Sequence, residues 1–302
     1  MRSAFVNTLK ELARKDERIF LVTADMGFSV FESFREEFPD RFLNTGIAEQ
    51  NTIGIAAGLA MSGKIVYVYS IIPFITMRCF EQIRLDLAYN NANVKLVGVG
   101  AGFTYGAMGS SHHAIEDISI MRSIPNMTVF CPGDPFETEE IIKRSYEHFG
   151  PVYIRLGKNG EPIIHKNKNR IEIGEIISLT EGDDLILMTT SNTLELGKSW
   201  ADDWKQEGIH VNLVSVPTIK PINQSMIRKL IDRNIPIITL EEHSIIGGLG
   251  STISEIIAES GKSVKFKRMG INDEFSHHVG GAEFQRKKLN ILQKPKKSWF
   301  LK

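Results

Sequence analysis

Residues 65–99 read IVYVYSIIPFITMRCFEQIRLDLAYNNANVKLVGV. Residues 65–69 are β-branched and aromatic, as in a buried strand. Residues 80–87 carry apolar side chains at helical spacing, and residues 94–99 read as a strand again. Strand, helix and strand in that order predict a β–α–β unit whose sheet is covered on both faces.

The same alternation extends outward. Upstream, Phe5, Leu9, Leu12 and Ala13 repeat at helical spacing, residues 19–23 read as a strand, and residues 51–60 as a small-residue helix. Downstream, helices are predicted over 115–124 and 138–148, and strands over 128–131 and 152–156. Residues 157–170 are polar and aperiodic, the signature of a linker. Strands then resume over 185–189, 211–216, 237–240 and 264–268. The predicted class is α/β, with two open, mostly parallel sheets. The expected division is a first domain over 1–160, a linker over 161–174 and a smaller domain over 175–302.

Composition narrows the function. The 302 residues are 42% hydrophobic and 24% charged, which argues against a disordered chain. Thirty-six basic and thirty-six acidic residues cancel, which makes the chain a poor candidate for general nucleic-acid binding. No apolar run approaches the roughly 20 residues that span a membrane. The first fifteen residues mix charged and apolar side chains and do not read as a secretory signal. Cys79 and Cys131 cannot make a disulfide framework, so a reducing cytoplasm is expected. After Glu283 come Arg286, Lys287, Lys288, Lys294, Lys296, Lys297 and Lys302 and no acid, read as a solvated helix and tail.

Open parallel sheets bind ligands beyond the carboxyl ends of their strands. Glu49 stands there, at the start of the small-residue helix, where a first-turn acid also suits the helix dipole. Phe74 and Arg78 follow the 65–69 strand, where they also suit a packed helix. His112 and His113 close a glycine-rich loop ahead of Glu116 and Asp117. Adjacent histidines diverge on a helix, so a metal site built from His112, His113 and Glu116 is disfavoured. Lys158 and Arg155 end the 152–156 strand. Residues 240–251, with Gly247, Gly248 and Gly250, lack the spacing of a phosphate loop and read as structural. His277 and His278 read as surface polar residues.

Gly46-Ile47-Ala48-Glu49-Gln50 followed by Ala56-Ala57-Gly58-Leu59-Ala60 resembles the core motif of transketolases and deoxyxylulose-phosphate synthases. The stretches around Asp25, Phe74, His112, Met121-Arg122-Ser123-Ile124-Pro125-Asn126-Met127, Lys158 and 240–251 fall in that family's order. The resemblance implies thiamine diphosphate as cofactor. Glu49 would hydrogen-bond its aminopyrimidine and shift the exocyclic amine toward the imino form. Phe74 would stack on that ring, with Tyr69, Arg78 and Asp25 also on the cofactor side. His112 would reach the substrate, beside His113, which stands where the family has a glutamine. Lys158, with Arg155 nearby, takes the place of an arginine that grips a substrate phosphate.

The family holds the diphosphate through Mg2+ with a Gly-Asp-Gly motif, and this sequence contains none. The resemblance therefore covers only the pyrimidine-binding and C-terminal domains. It implies a small subunit whose large partner supplies the pyrophosphate half and most of the Mg2+ contacts, as an α₂β₂ heterotetramer. Met108 and Gly100 stand where transketolases have an aspartate and a second histidine, so the expected substrate differs from a standard pentose phosphate. The implied reaction moves a two-carbon ketol or acyl unit from a ketose or 2-oxo acid to an aldehyde. The beta subunit of a 2-oxo acid dehydrogenase, a deoxyxylulose-phosphate synthase-like enzyme and a non-catalytic subunit are the alternatives.

Overall fold

The computed structural model describes residues 1–158, 160–166 and 169–301. Asn159, Asn167 and Lys168 of the expected linker, and Lys302 of the basic tail, lie outside the described residues.

Six parallel strands form most of the first sheet. Their spatial order is Thr128–Phe130, Val152–Leu156, Val94–Val99, Ile65–Ile71, Ile19–Thr23 and Phe42–Asn44. The central strands Val94–Val99 and Val152–Leu156 are buried along their whole length, the Lys95 and Arg155 side chains included. One face packs against helix Glu49–Met61, through Ile53, Ala56 and Ala57. The other packs against Arg2–Lys15 and Pro135–Glu147, through Phe5, Leu9, Ile141 and Ile142. Asp134 starts the latter helix by accepting the Glu137 amide at 2.8 Å, and Pro135 follows it.

The second sheet has the order Phe266–Ile271, Ile237–Ser244, Leu185–Thr189, Val211–Ser215 and Ile177–Ser178, parallel except for the last pair. Both sheets thus realise the expected α/β class.

Three local features go beyond the sequence reading. The helix expected over 80–87 is present but irregular: α-helical Phe80–Gln82 widens into the π-helical segment Ile83–Tyr89. The strand Thr218–Lys220 leaves the second half of the chain and pairs antiparallel with Thr128–Phe130, completing the first sheet as a seventh strand. The basic tail is not simply solvated. Leu289 and Ile291 pack with Phe103, Ile115 and Ile271, and Phe300 packs against Trp204 at 5.4 Å. Burying those apolar side chains outweighs the solvation of the lysines between them, which pair with Asp203 and Glu207.

Among the described residues, no helix is long and apolar enough to cross a membrane.

Candidate active site

Glu49 is the first residue of helix Glu49–Met61, and its side chain is almost fully buried. Gly46 precedes it with a φ of +77°, which lets the chain turn from strand Phe42–Asn44 into the helix. The Arg78 Nη1 donates to Glu49 Oε2 at 2.7 Å. The same guanidinium lies over the Phe74 ring, 4.5 Å from its centroid. The opposite contact of Phe74 is His112, edge-to-face at 5.0 Å. Glu49, Arg78, Phe74 and His112 therefore form one continuous cluster.

Tyr105 extends it. Its ring lies 6.3 Å from that of His112, and the Lys158 ammonium sits 5.3 Å from its centroid. Sequence reasoning missed Tyr105, although an aromatic in the glycine-rich loop was the available signal. Gly100 makes its place. A Cβ on Gly100 would lie 2.4 Å from Tyr105 Cδ2, so the ring fills the space a side chain at 100 would need.

Burial, with the neighbouring His113, pushes the His112 imidazole below its ordinary value, which favours the uncharged ring. Its Nδ1 is 3.0 Å from Ser111 Oγ. Next to the cluster, burial pushes the Cys79 thiol up to about 12, and Sγ donates to the Phe74 carbonyl, so this cysteine is an unreactive packing residue.

Asp25 lies outside the cluster and is joined to the turn ahead of Glu49 through Asn44. It follows strand Ile19–Thr23 with a φ of +53°, and its carboxylate accepts from Asn44 Nδ2 at 3.1 Å. Asn44 Oδ1 in turn accepts the amides of Asp25 and Gly46, tying Asp25 to the turn ahead of Glu49.

Three expected site residues are elsewhere. Tyr69 lies in the core, stacked on Phe5 at 6.0 Å and edge-on to Phe31 at 4.7 Å. Residues 67 and 69 point to the same side of a strand, and both rings bury against Phe5. His113 turns inward, edge-to-face with Phe103 at 4.9 Å and with Nε2 3.2 Å from the Gly106 carbonyl. It holds the loop and does not reach the crevice.

Arg155 is 0% exposed. Its Nε donates to Asp117 Oδ2 at 2.9 Å, Nη1 to Ser191 Oγ, and Nη2 to the carbonyls of Ala114 and Glu242. Burial alone would lower its pKa, but the Asp117 charge outweighs it and the guanidinium stays above its ordinary value. Tyr153 donates to the same Asp117 oxygen at 2.6 Å. Arg155 joins the two sheets and has no atom left for a substrate.

The glycines of 247–250 also serve structure. The Glu241 carboxylate accepts the amides of Leu249 and Gly250 at 2.7 and 2.8 Å, so an internal anion fills this helix N-terminus. A Cβ on Gly248 would meet Glu241 Oε2 at 1.9 Å. Burial raises Glu241 to about 7 and lowers the adjacent His243 to about 4. His277 and His278 are exposed. Among the described residues, no group of three His, Cys, Asp or Glu side chains could hold a metal ion.

Comparison with known proteins matches this arrangement to one family. The transketolase pyrimidine-binding domain matches residues 1–161, and the transketolase C-terminal domain matches residues 174–287. The chain is 42% identical over 278 residues to a putative transketolase C-terminal section of Methanocaldococcus jannaschii, covering 91% of this chain and 87% of that one. It is 38% identical over 284 residues to one of the subunits of an apulose-4-phosphate transketolase of Phocaeicola vulgatus, covering 93% and 90%. A solved split-gene transketolase, described as an inactive β4 tetramer, superposes with a TM-score of 0.87 at 35% identity, covering 96% and 93%. The chain belongs to the transketolase family and spans its pyrimidine-binding and C-terminal domains.

Proposed function

We propose that this chain is the small subunit of a split, thiamine diphosphate-dependent transketolase-like enzyme. It transfers a two-carbon ketol unit from a phosphorylated ketose to an aldehyde, and it acts only with a partner subunit. The observation that carries this reading is the contact of Glu49, Arg78, Phe74 and His112 at the carboxyl ends of the first sheet's strands. A buried carboxyl group beside a half-buried aromatic face suits a flat, amine-bearing heterocycle. The bound cofactor would supply the nucleophilic carbon and the electron sink for the transfer.

Each residue then has a task. Glu49 holds a ring nitrogen of the pyrimidine through its carboxyl group. Phe74 fixes the plane of that ring. His112, whose uncharged form burial favours, accepts or donates a proton at the substrate oxygen. Tyr105 closes the far side, and Lys158 places a cation for a substrate phosphate. Asp25 stabilises the approach to Glu49. Mg2+ and the diphosphate fall to the partner, because this sequence has no Gly-Asp-Gly.

Two further facts favour a partner. Ile47, two residues before Glu49, is 79% exposed, and Met77 beside Arg78 is exposed as well. Apolar side chains flanking a site suit a covering subunit. The similar solved chain is described as inactive when assembled from β chains alone. A phosphorylated ketose is favoured over a 2-oxo acid by the likeness to the apulose-4-phosphate transketolase chain, which extends along nearly its whole length.

The test is transfer by the chain reconstituted with its partner. Glu49→Ala should lower turnover by about 10²–10⁴-fold while the circular dichroism spectrum stays unchanged. Turnover within a few-fold of the parent would refute the role of Glu49.

A further inference from the structure

We propose that Arg78 is a built-in competitor for the aminopyrimidine, and that its guanidinium must leave Glu49 before the cofactor seats. This inference rests on the functional reading above.

The guanidinium occupies the same two groups that the reading gives to the cofactor ring, the Glu49 carboxyl and the Phe74 face. It donates to the Glu49 carboxylate at 2.7 Å, and it lies over the face of Phe74 at 4.5 Å. A guanidinium is flat and carries N–H donors at its rim, so it imitates an aminopyrimidine at a carboxylate and on an aromatic face.

Protonation sets the two occupants against each other. The ion pair with Arg78 requires an ionised Glu49. A hydrogen bond given by Glu49 to a ring nitrogen requires the acid form. A carboxyl group that donates to a ring nitrogen no longer offers Arg78 a full countercharge, so seating the ring weakens the pair seen here.

The anchoring of Arg78 suits a tip that swings on a fixed base. Its carbonyl accepts from Gln50 Nε2 at 3.1 Å, and its amide donates to the Pro73 carbonyl. Its side chain is 46% exposed, against 5% for Glu49. The arginine can therefore return to water without disturbing backbone, and half-exposed pairs are weakly held. Until the cofactor arrives, Arg78 supplies the countercharge that a buried carboxylate needs.

The test uses the full chain and the hydroxymethyl aminopyrimidine half of thiamine, which lacks the diphosphate that the partner would hold. Binding is followed by chemical-shift changes in NMR spectra. Arg78→Met should bind this probe about tenfold tighter than the parent, because the competent state no longer has to be freed. Arg78→Lys keeps the charge and loses the flat fork, and should fall between the two. It also keeps the comparison open if the methionine variant does not fold. Equal binding by the variants would overturn the proposal, and weaker binding would overturn it and make Arg78 a residue that holds the cofactor; either result leaves the functional reading intact. Absence of binding by the parent and every variant would overturn both.

Discussion

The rings of Phe74 and His112 meet edge-to-face with centroids 5.0 Å apart. One follows strand Ile65–Ile71, and the other ends the glycine-rich loop after Val94–Val99. The contact joins the proposed cofactor side of the crevice to the proposed substrate side. Phe74→Leu removes the flat ring and keeps apolar bulk. Stacking contributes about 0.5–1.5 kcal/mol, so cofactor affinity in the reconstituted enzyme should fall about three- to tenfold. Titration of cofactor against activity measures it. An unchanged affinity would return Phe74 to the packed core.

Arg155 and Asp117 predict a stability defect. Both side chains are fully buried and 2.9 Å apart. Arg155→Met strands the Asp117 charge and should cost about 3–5 kcal/mol. Adding Asp117→Asn should recover part of that loss. Urea denaturation of the single and double variants reads both effects. A single variant with the parent's midpoint would contradict the structural role and restore Arg155 as a candidate substrate ligand.

Lys95 predicts a pH dependence. It is fully buried, donates to the carbonyls of His148 and Gly150, and has its pKa lowered by burial to about 7. Between that value and the ordinary 10.5, the unfolded chain binds more protons than the folded one. Stability from this residue therefore rises with pH across the window, and the penalty is complete below about pH 7. The slope is on the order of 1 kcal/mol per pH unit at most. Lys95→Met should remove it, shown as a pH-dependent gap between the two denaturation series. A constant gap would show that Lys95 is charged in the fold throughout.

Arg286 predicts a kinetic effect from outside the crevice. It pairs at 2.6 Å with the buried Glu242, whose other oxygen accepts the Phe103 amide at 2.7 Å. Phe103 lies in the loop that ends at His112, so the tail braces that loop. Arg286→Met should raise the substrate KM several-fold, with a smaller change in cofactor affinity. Equal losses in both, or none, would argue against bracing.

How legible this molecule is from its sequence depends on range. The long apolar strands announce themselves because a parallel strand is buried on both faces. Thr218–Lys220 does not, since three residues carry no period. Glu49, Phe74 and His112 stand out through motif order, and the structure brings them together. Arg155 and Lys158 look alike at one strand end, yet one meets a buried aspartate from a distant helix and the other stays exposed. No local pattern shows which cation finds such a partner. Strand alternation puts Tyr69 on the side of Tyr67, and the structure buries both rings against Phe5. The packing of the tail was hidden by its charge, which masks the few apolar anchors that fix it.

The central claim is that this chain is one half of an enzyme whose site is completed by another. The most direct test is native mass spectrometry of the tagged chain, purified gently from its own host. The account predicts a second chain carrying a Gly-Asp-Gly motif, bound together with thiamine diphosphate and Mg2+. A homo-oligomer that holds the cofactor and turns over substrate by itself would contradict it.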